Sequence, residues 1–190
     1  MKKLFFVLML CVCSFVFCDN PYAQKKKFNH RGYNRFDLSL SSGFVWKNDA
    51  HYKHVYGKRI PNWITLDACG WFYKHIGLGV TTSYWEKEGK HDHKLQEVPL
   101  ILFLRGKIGG ALQGFISLGG GVIFAHEHTK HGINKTNVGG GEAEVGINYF
   151  FSKNFFATAA GRYLYFRKHH HGELKNFGGS DLRAGVGVSF

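Results

Sequence analysis

From residue 33 onward the chain alternates between apolar and polar or small side chains with a period of two. The last ten residues show it most plainly. Leu182, Ala184, Val186, Val188 and Phe190 share one parity, and Asp181, Arg183, Gly185, Gly187 and Ser189 share the other. That is the pattern of a β-strand with one face against apolar surroundings. Seven earlier segments repeat it, over residues 33–46, 62–72, 77–85, 95–105, 112–125, 138–150 and 155–166. In the first, Phe36, Leu38, Leu40, Phe44 and Trp46 oppose Arg35, Asp37, Ser39, Ser41 and Gly43. In the fourth, Val98, Leu100, Leu102 and Leu104 oppose Glu97, Ile101 and Arg105, within a nearly continuous apolar run. Each segment has roughly the ten residues that a tilted strand needs to cross a bilayer.

The connections alternate in length. Short turns fall at 73–76, 106–111 and 151–154, and longer polar loops at 47–59, 86–94, 126–137 and 167–180. Together these features predict an all-β fold: an eight-stranded antiparallel up-and-down transmembrane β-barrel of the bacterial outer membrane. Its short turns and both termini would be periplasmic, and Phe190 would anchor the last strand at the interface.

The N-terminus breaks the pattern. Lys2 and Lys3 precede the apolar run of residues 4–17, then polar Asp19 and Asn20. A basic stretch and a short apolar one make an export signal rather than a membrane helix. Residues 1–23 are therefore expected to be a cleaved signal peptide, 24–32 a basic periplasmic lead-in and 33–190 the barrel, with cleavage after Cys18 or Ala23. Phe17 before Cys18 argues against lipidation. Of the four cysteines only Cys69 would remain, so the mature fold is expected to hold without an internal disulfide. The 16% aromatic content and 25 glycines suit many short strands. A formal charge of +12 would suggest a nucleic-acid partner, but export makes that partner out of place.

The run Glu97-Val-Pro-Leu-Ile-Leu-Phe-Leu-Arg105, its turn, and Gly114-Phe-Ile-Ser-Leu-Gly-Gly-Gly-Val122 resemble the middle hairpin of OmpW-like and OmpA-like small outer-membrane barrels. The alternating strand ending in Phe190 is similar to the C-terminal signature of such proteins. The resemblance implies the barrel architecture and recognition of that last strand by the outer-membrane assembly machinery. It is nearly silent on activity.

Parity assigns Arg35, Asp37, Asp67, Glu97, Arg105, Glu142, Glu144, Arg162, Asp181 and Arg183 to the barrel interior. Eight strands enclose a lumen that side chains nearly fill, so those charges must be paired or hydrated. A salt-bridge network that blocks the lumen is the first expectation, and a narrow ion or solute path the second. Ten of the twelve histidines fall in the longer loops: His51, His54, His91, His93, His126, His128, His131, His169, His170 and His171. Imidazole suits zinc, copper or nickel, which makes His91, His93, His126, His128, His131, His169, His170 and His171 candidate ligands, with His91-x-His93 and His126-x-His128 at spacings a single loop could fold round one ion. No loop carries a complete ligand motif, so no cofactor is expected. Lys53, Lys58, Arg59, Lys87, Lys90, Lys130, Lys135, Arg167, Lys168 and Lys175 make the same loops basic. They suit lipopolysaccharide phosphates and outer-membrane lipid, or acidic host polymers.

Some barrels that this chain resembles deacylate lipid A through a His and a Ser two residues apart on a late strand. Here His169-His170-His171-Gly172-Glu173 offers no such Ser, and Ser180 is the only hydroxyl nearby. The function expected from sequence is therefore a non-enzymatic surface barrel whose basic, His-rich loops contact lipopolysaccharide or an external ligand. The alternative is a narrow porin-like channel, and a lipid A deacylase comes third.

Overall fold

The computed structural model describes residues 36–90, 93–129, 132–170 and 173–190. The stretches expected to be a signal peptide and a lead-in, together with Arg35, His91, His131 and His171, lie outside them. The strands are β1 (Phe36–Lys47), β2 (Arg59–Trp71), β3 (Ile76–Glu88), β4 (Lys94–Gly109), β5 (Leu112–Thr129), β6 (Gly132–Phe150), β7 (Phe155–His170), β8 (Glu173–Asn176) and β9 (Gly179–Ser189). One helix, α1 (Ala50–Tyr56), joins β1 to β2.

Strands β1 to β7 pair with their sequence neighbours, all antiparallel. β9 then closes the ring between β7 and β1. The seam runs from Asp37 opposite Ser189 to Lys47 opposite Gly179, and the Phe36 and Phe190 backbones hydrogen-bond at its end. This is a closed eight-stranded barrel. β8 stands apart, a four-residue strand that pairs only with the far end of β7.

Closure satisfies the backbone, so side chains alone distinguish inside from outside. Leu78, Leu102, Leu104, Ile116, Leu118, Val145, Leu182 and Val186 are all exposed on the outer face. Aromatic girdles flank this apolar band. At the end with short turns are Phe36, Phe72, Tyr73, Tyr149, Phe151 and Phe190. Towards the other end are Phe44, Trp63, Phe124, Tyr163 and Tyr165. An outward apolar belt between two aromatic rings is the surface of a strand barrel in lipid. Inside, glycines make room for rings. A Cβ at Gly146 would overlap the Phe115 ring, and one at Gly187 would overlap Phe156.

Two of the longer connections are strand rather than loop. Residues 126–129 and 132–137 continue β5 and β6 as a paired ribbon up to Thr129 opposite Gly132, and 167–170 pair with 173–176. Here β6 has 19 residues where a bilayer needs about 9–11. The excess stands clear of the apolar belt, and a ribbon with water on both faces needs no alternation, so its sequence reads as loop. The connection over 47–59 also changes: Lys47 ends β1, α1 occupies its middle and Arg59 begins β2. The turn expected at 106–111 shrinks to Gly110 and Ala111, with Gly109 at φ 112°.

Leu102, 65% exposed in the middle of the apolar belt, provides a test of the wall. Leu102→Arg is expected to cost ~2–4 kcal/mol of folding stability in liposomes. Lys135→Gln, on the ribbon beyond the belt, should leave stability unchanged. Urea titration into lipid vesicles measures both.

Candidate functional site: the barrel interior and its lid

The inward parity brings polar side chains from six strands into one layer midway along the lumen. β2 contributes Asp67, β3 Ser83, β4 Arg105, β6 Glu142 and Glu144, β7 Arg162, and β9 Asp181 and Arg183, each at most 6% exposed. Arg183 donates to Asp67 at 2.9 Å and to Glu144 at 2.6 Å. Glu144 also accepts from Arg105 at 3.1 Å, and Arg105 donates from Nε to Ser117 at 2.7 Å. The Arg105 guanidinium lies between the Phe103 and Phe115 rings, 4.4 and 4.3 Å from their centroids. Arg162 donates to Asp181 at 2.7 Å, to Ser83 at 3.0 Å and to Glu142 at 3.4 Å. Asn62 donates to both Asp181 oxygens at 3.3 Å.

Each guanidinium thus meets at least one carboxylate, and the 3.8 Å approach of Arg183 to Asp181 links the two groups. An unpaired ion in such a layer would cost several kcal/mol, so the chain can hold these charges only as an interlocked set. What the set does chemically is brace: it ties strands on opposite sides of the barrel through its centre.

Towards the short-turn end, Asp37 accepts from Trp71 Nε1 at 2.7 Å and from the Ser189 hydroxyl, with Lys107 3.8 Å away. Cys69, Trp71 and Phe103 pack beside it.

The opposite end is closed by an apolar cluster. Val45, Ile60, Trp85, Leu95, Ile101, Ile123, Val138, Leu164 and Phe166 point inward from the strands, and Tyr52, Tyr56 and Phe177 cover them. Within this cluster Lys47 Nζ meets Glu97 at 2.5 Å, with both side chains fully buried. Lys47 also donates to the Phe177 carbonyl at 2.6 Å and lies 4.9 Å from the Trp85 ring centroid. The lid is fastened by Asp49, whose carboxylate accepts from the Tyr52 amide in the first turn of α1 and from the Asn176 amide of β8. Tyr52 packs edge-on to Phe177 at 5.6 Å. Tyr56 donates to Glu127 at 2.7 Å. Burial and the neighbouring Glu127 carboxylate both push the Tyr56 hydroxyl well above its ordinary range, so it stays a proton donor. Gly89 leaves space for the Tyr56 ring.

Of the interior charges read from parity, Asp37, Asp67, Glu97, Arg105, Glu142, Glu144, Arg162, Asp181 and Arg183 are all buried in the lumen. Glu97 is not part of the central layer: it serves the lid. Its partner Lys47 was missed because it opens a stretch that reads as loop. One more step of β1's own alternation, through Val45, would have placed it inside. Lys107 and the lid aromatics were missed likewise, whereas Asn62 and Trp71 stand in the second alternating segment and were passed over because they carry no charge.

The histidines are spread along the far end. His54 is exposed on α1, His93 is 3.9 Å from Glu127, and His126 and His128 lie two apart on β5. His169 and His170 belong to the outer end of β7, and His51 to α1. Among the described residues no three of His, Cys, Asp or Glu meet in a way that could hold a metal. Ser180 is exposed on the outer face of β9, opposite Trp46 and Tyr163.

No family model matches the chain, and no curated protein does. Solved structures do. Neisserial surface protein A (NspA) superposes with a TM-score of 0.64 at 15% identity, covering 82% of this chain and 97% of that one. The outer membrane protein OprG from Pseudomonas aeruginosa gives 0.61 at 14% identity, covering 84% and 98%. Ail, the attachment invasion locus protein of Yersinia pestis, gives 0.53 at 12% identity, covering 82% and 97%. At such identities the likeness is one of fold: this chain has the fold of the small eight-stranded outer-membrane β-barrels.

The lid pair lends itself to a double-mutant cycle. Lys47→Met strands a buried Glu97 carboxylate and is expected to cost ~3–5 kcal/mol. Lys47→Met with Glu97→Gln should recover more than half of that loss. Unfolding in urea followed by tryptophan fluorescence reads both, and equal losses in the single and double variants would contradict the pairing.

Proposed function

We propose that this protein is a non-enzymatic outer-membrane surface barrel, closed to solutes, whose basic end contacts anionic polymers. The ligands would be lipopolysaccharide phosphates or an external polyanion such as a sulfated glycan. In this reading the short-turn end and both termini face the periplasm, and the lid faces outward. The C-terminal strand, ending on exposed Phe190, would be the segment that the assembly machinery reads.

One observation carries the proposal: a packed lid beneath a rim of exposed cations. Lys53, Lys58, Arg59, Lys90, Lys135, Arg167 and Lys168 are all exposed at that end. Glu86 is taken up by Lys94 at 2.7 Å, and Glu127 by Tyr56. The rim is therefore rich in uncommitted positive charge, which suits multivalent contact with sulfates or phosphates. A neighbour of the same fold, Ail, has been crystallised with the heparin analogue sucrose octasulfate, which makes that compound a natural first probe. The interlocked centre and the apolar lid favour this reading over a narrow channel, since neither layer offers ions an open hydrated path.

The test is binding of sucrose octasulfate and of size-defined heparin to the detergent-solubilised barrel, by calorimetry at rising salt. Binding should weaken steeply with ionic strength. The Lys135→Glu, Lys168→Glu variant should bind at least about tenfold more weakly, a change of ~1.4 kcal/mol. Salt-independent binding, or a charge-reversed variant equal to wild type, would count against the basic rim as the contact surface.

A further inference from the structure

On the outer wall, β1, β2, β7 and β9 set a cation above an apolar groove. Arg59 begins β2 and lies opposite Trp46 in register. Its guanidinium sits over the outward rings of β1, 5.1 Å from the Phe44 centroid and 5.5 Å from Trp46. The row continues from Trp46 to Ser180 on β9 and Tyr163 on β7. One row nearer the middle of the wall come Phe44, Leu182, Gly161 and Val145. Between the Trp46 and Tyr163 side chains the wall is recessed into a groove of about 430 Å³, bordered by Ile116, Val145 and Leu182. Gly161 explains the recess: a Cβ there would meet nothing within 4 Å. Its cross-strand partners Val145 and Leu182 and the Tyr163 ring are large while Ala143 and Ser180 are small, so this glycine deepens a gap in the apolar belt.

The groove's volume falls within the ~300–1,000 Å³ of small-molecule sites, and its lining is apolar. Hydrocarbon suits it. What distinguishes it from an ordinary stretch of lipid-facing wall is the charge beside it, Arg59, one strand beyond Trp46 in the same row. Arg59 is exposed but held by two rings, so its donors are pre-oriented, and exposed Lys58 precedes it. Arg167, 4.5 Å from the Tyr165 ring, repeats the arrangement on β7. A ligand that satisfies both parts is anionic at one end and hydrocarbon at the other. A second copy of this chain fits less well, because it would bring its own rim cations to the same boundary.

We infer that Arg59, Phe44 and Trp46, with the groove at Gly161, form a binding site on the outer wall for one phosphorylated, acylated lipid of the outer leaflet. The lipid's phosphate pairs with the Arg59 guanidinium, and one acyl chain lies between Trp46 and Tyr163 across Gly161. The inference rests on reading the apolar wall as lipid-facing, and it deepens the lipopolysaccharide side of the proposed function by giving it a place outside the loops.

The experiment is native mass spectrometry of the whole barrel released from detergent. Hexa-acylated diphosphoryl lipid A is the first probe, and fully dephosphorylated lipid A of the same acylation the second. Wild type should retain one diphosphoryl lipid A. Arg59→Gln should reduce that retention about tenfold and leave the dephosphorylated lipid unaffected, because only the charge-assisted contact is lost. Gly161→Phe should reduce retention of both lipids by filling the groove. Heat-dependent gel mobility verifies that each variant is folded, and Arg59→Gln, altered only at an exposed side chain, supplies the test should Gly161→Phe misfold. Retention by Arg59→Gln equal to wild type overturns the inference, as does a stable dimer that covers Gly161. Failure of the rim reading is separable, since sucrose octasulfate has no acyl chain: wild type that retains lipid A but does not bind sucrose octasulfate sinks the rim alone.

Discussion

Everything in this barrel depends on how it accommodates ions in its own lumen. Arg183 sits between Asp67 and Glu144, Arg105 shares Glu144, and Arg162 is held by Asp181. Burying even one such ion without a partner costs several kcal/mol, comparable to much of a domain's net stability. The layer is therefore stable only when complete. It also works across the barrel, where hydrogen bonds between neighbouring strands cannot reach. The wall holds adjacent strands together, and the ions hold opposite strands at a fixed distance.

The lid applies the same rule with fewer charges. Lys47 and Glu97 are fully buried among apolar rings, and the Phe177 carbonyl takes a further hydrogen bond from the ammonium. Asp49 then joins α1 to β8, so the two connections that cover the lumen are tied to each other rather than hanging separately. Interior and exterior divide the work. In the proposed reading the interior closes and braces the barrel, which leaves the exposed end and the wall as the surfaces available to a partner. The cations there are the ones that no buried carboxylate has claimed.

Much of this was legible in the residues. Period-two alternation gives the eight barrel strands and their outward faces because one face must satisfy hydrocarbon and the other must not. The same parity finds Asp67, Arg105, Glu144 and Arg183, since a charge in the middle of an alternating strand has only one side to go to. Pairing was not legible: which guanidinium meets which carboxylate depends on strand tilt and register, and no single strand carries that information. Beyond the belt the rule lapses. Residues 126–129 and 132–137 form a ribbon although they read as loop, because water on both faces removes the reason to alternate. The lid aromatics Tyr52, Tyr56 and Phe177 escaped for a related reason: they lie in polar connections and are buried by tertiary packing that local pattern does not encode, whereas Lys47 escaped only because β1 runs one residue further than its segment. The groove at Gly161 is likewise a product of five strands in register.

The account stands or falls on whether the lumen is closed. Single-channel recording of the refolded barrel in planar bilayers, in about 1 M KCl, tests that directly, since screening at ~3 Å removes any barrier due to surface charge alone. A bilayer that stays silent with wild-type protein inserted, and becomes conductive when Tyr52→Ala and Phe177→Ala open the lid and Arg105→Ala and Glu142→Ala breach the central layer, is the predicted result. A steady wild-type conductance that changes on substituting Arg105 or Glu142 would contradict it, because ions would then be passing through the layer that is assigned to bracing.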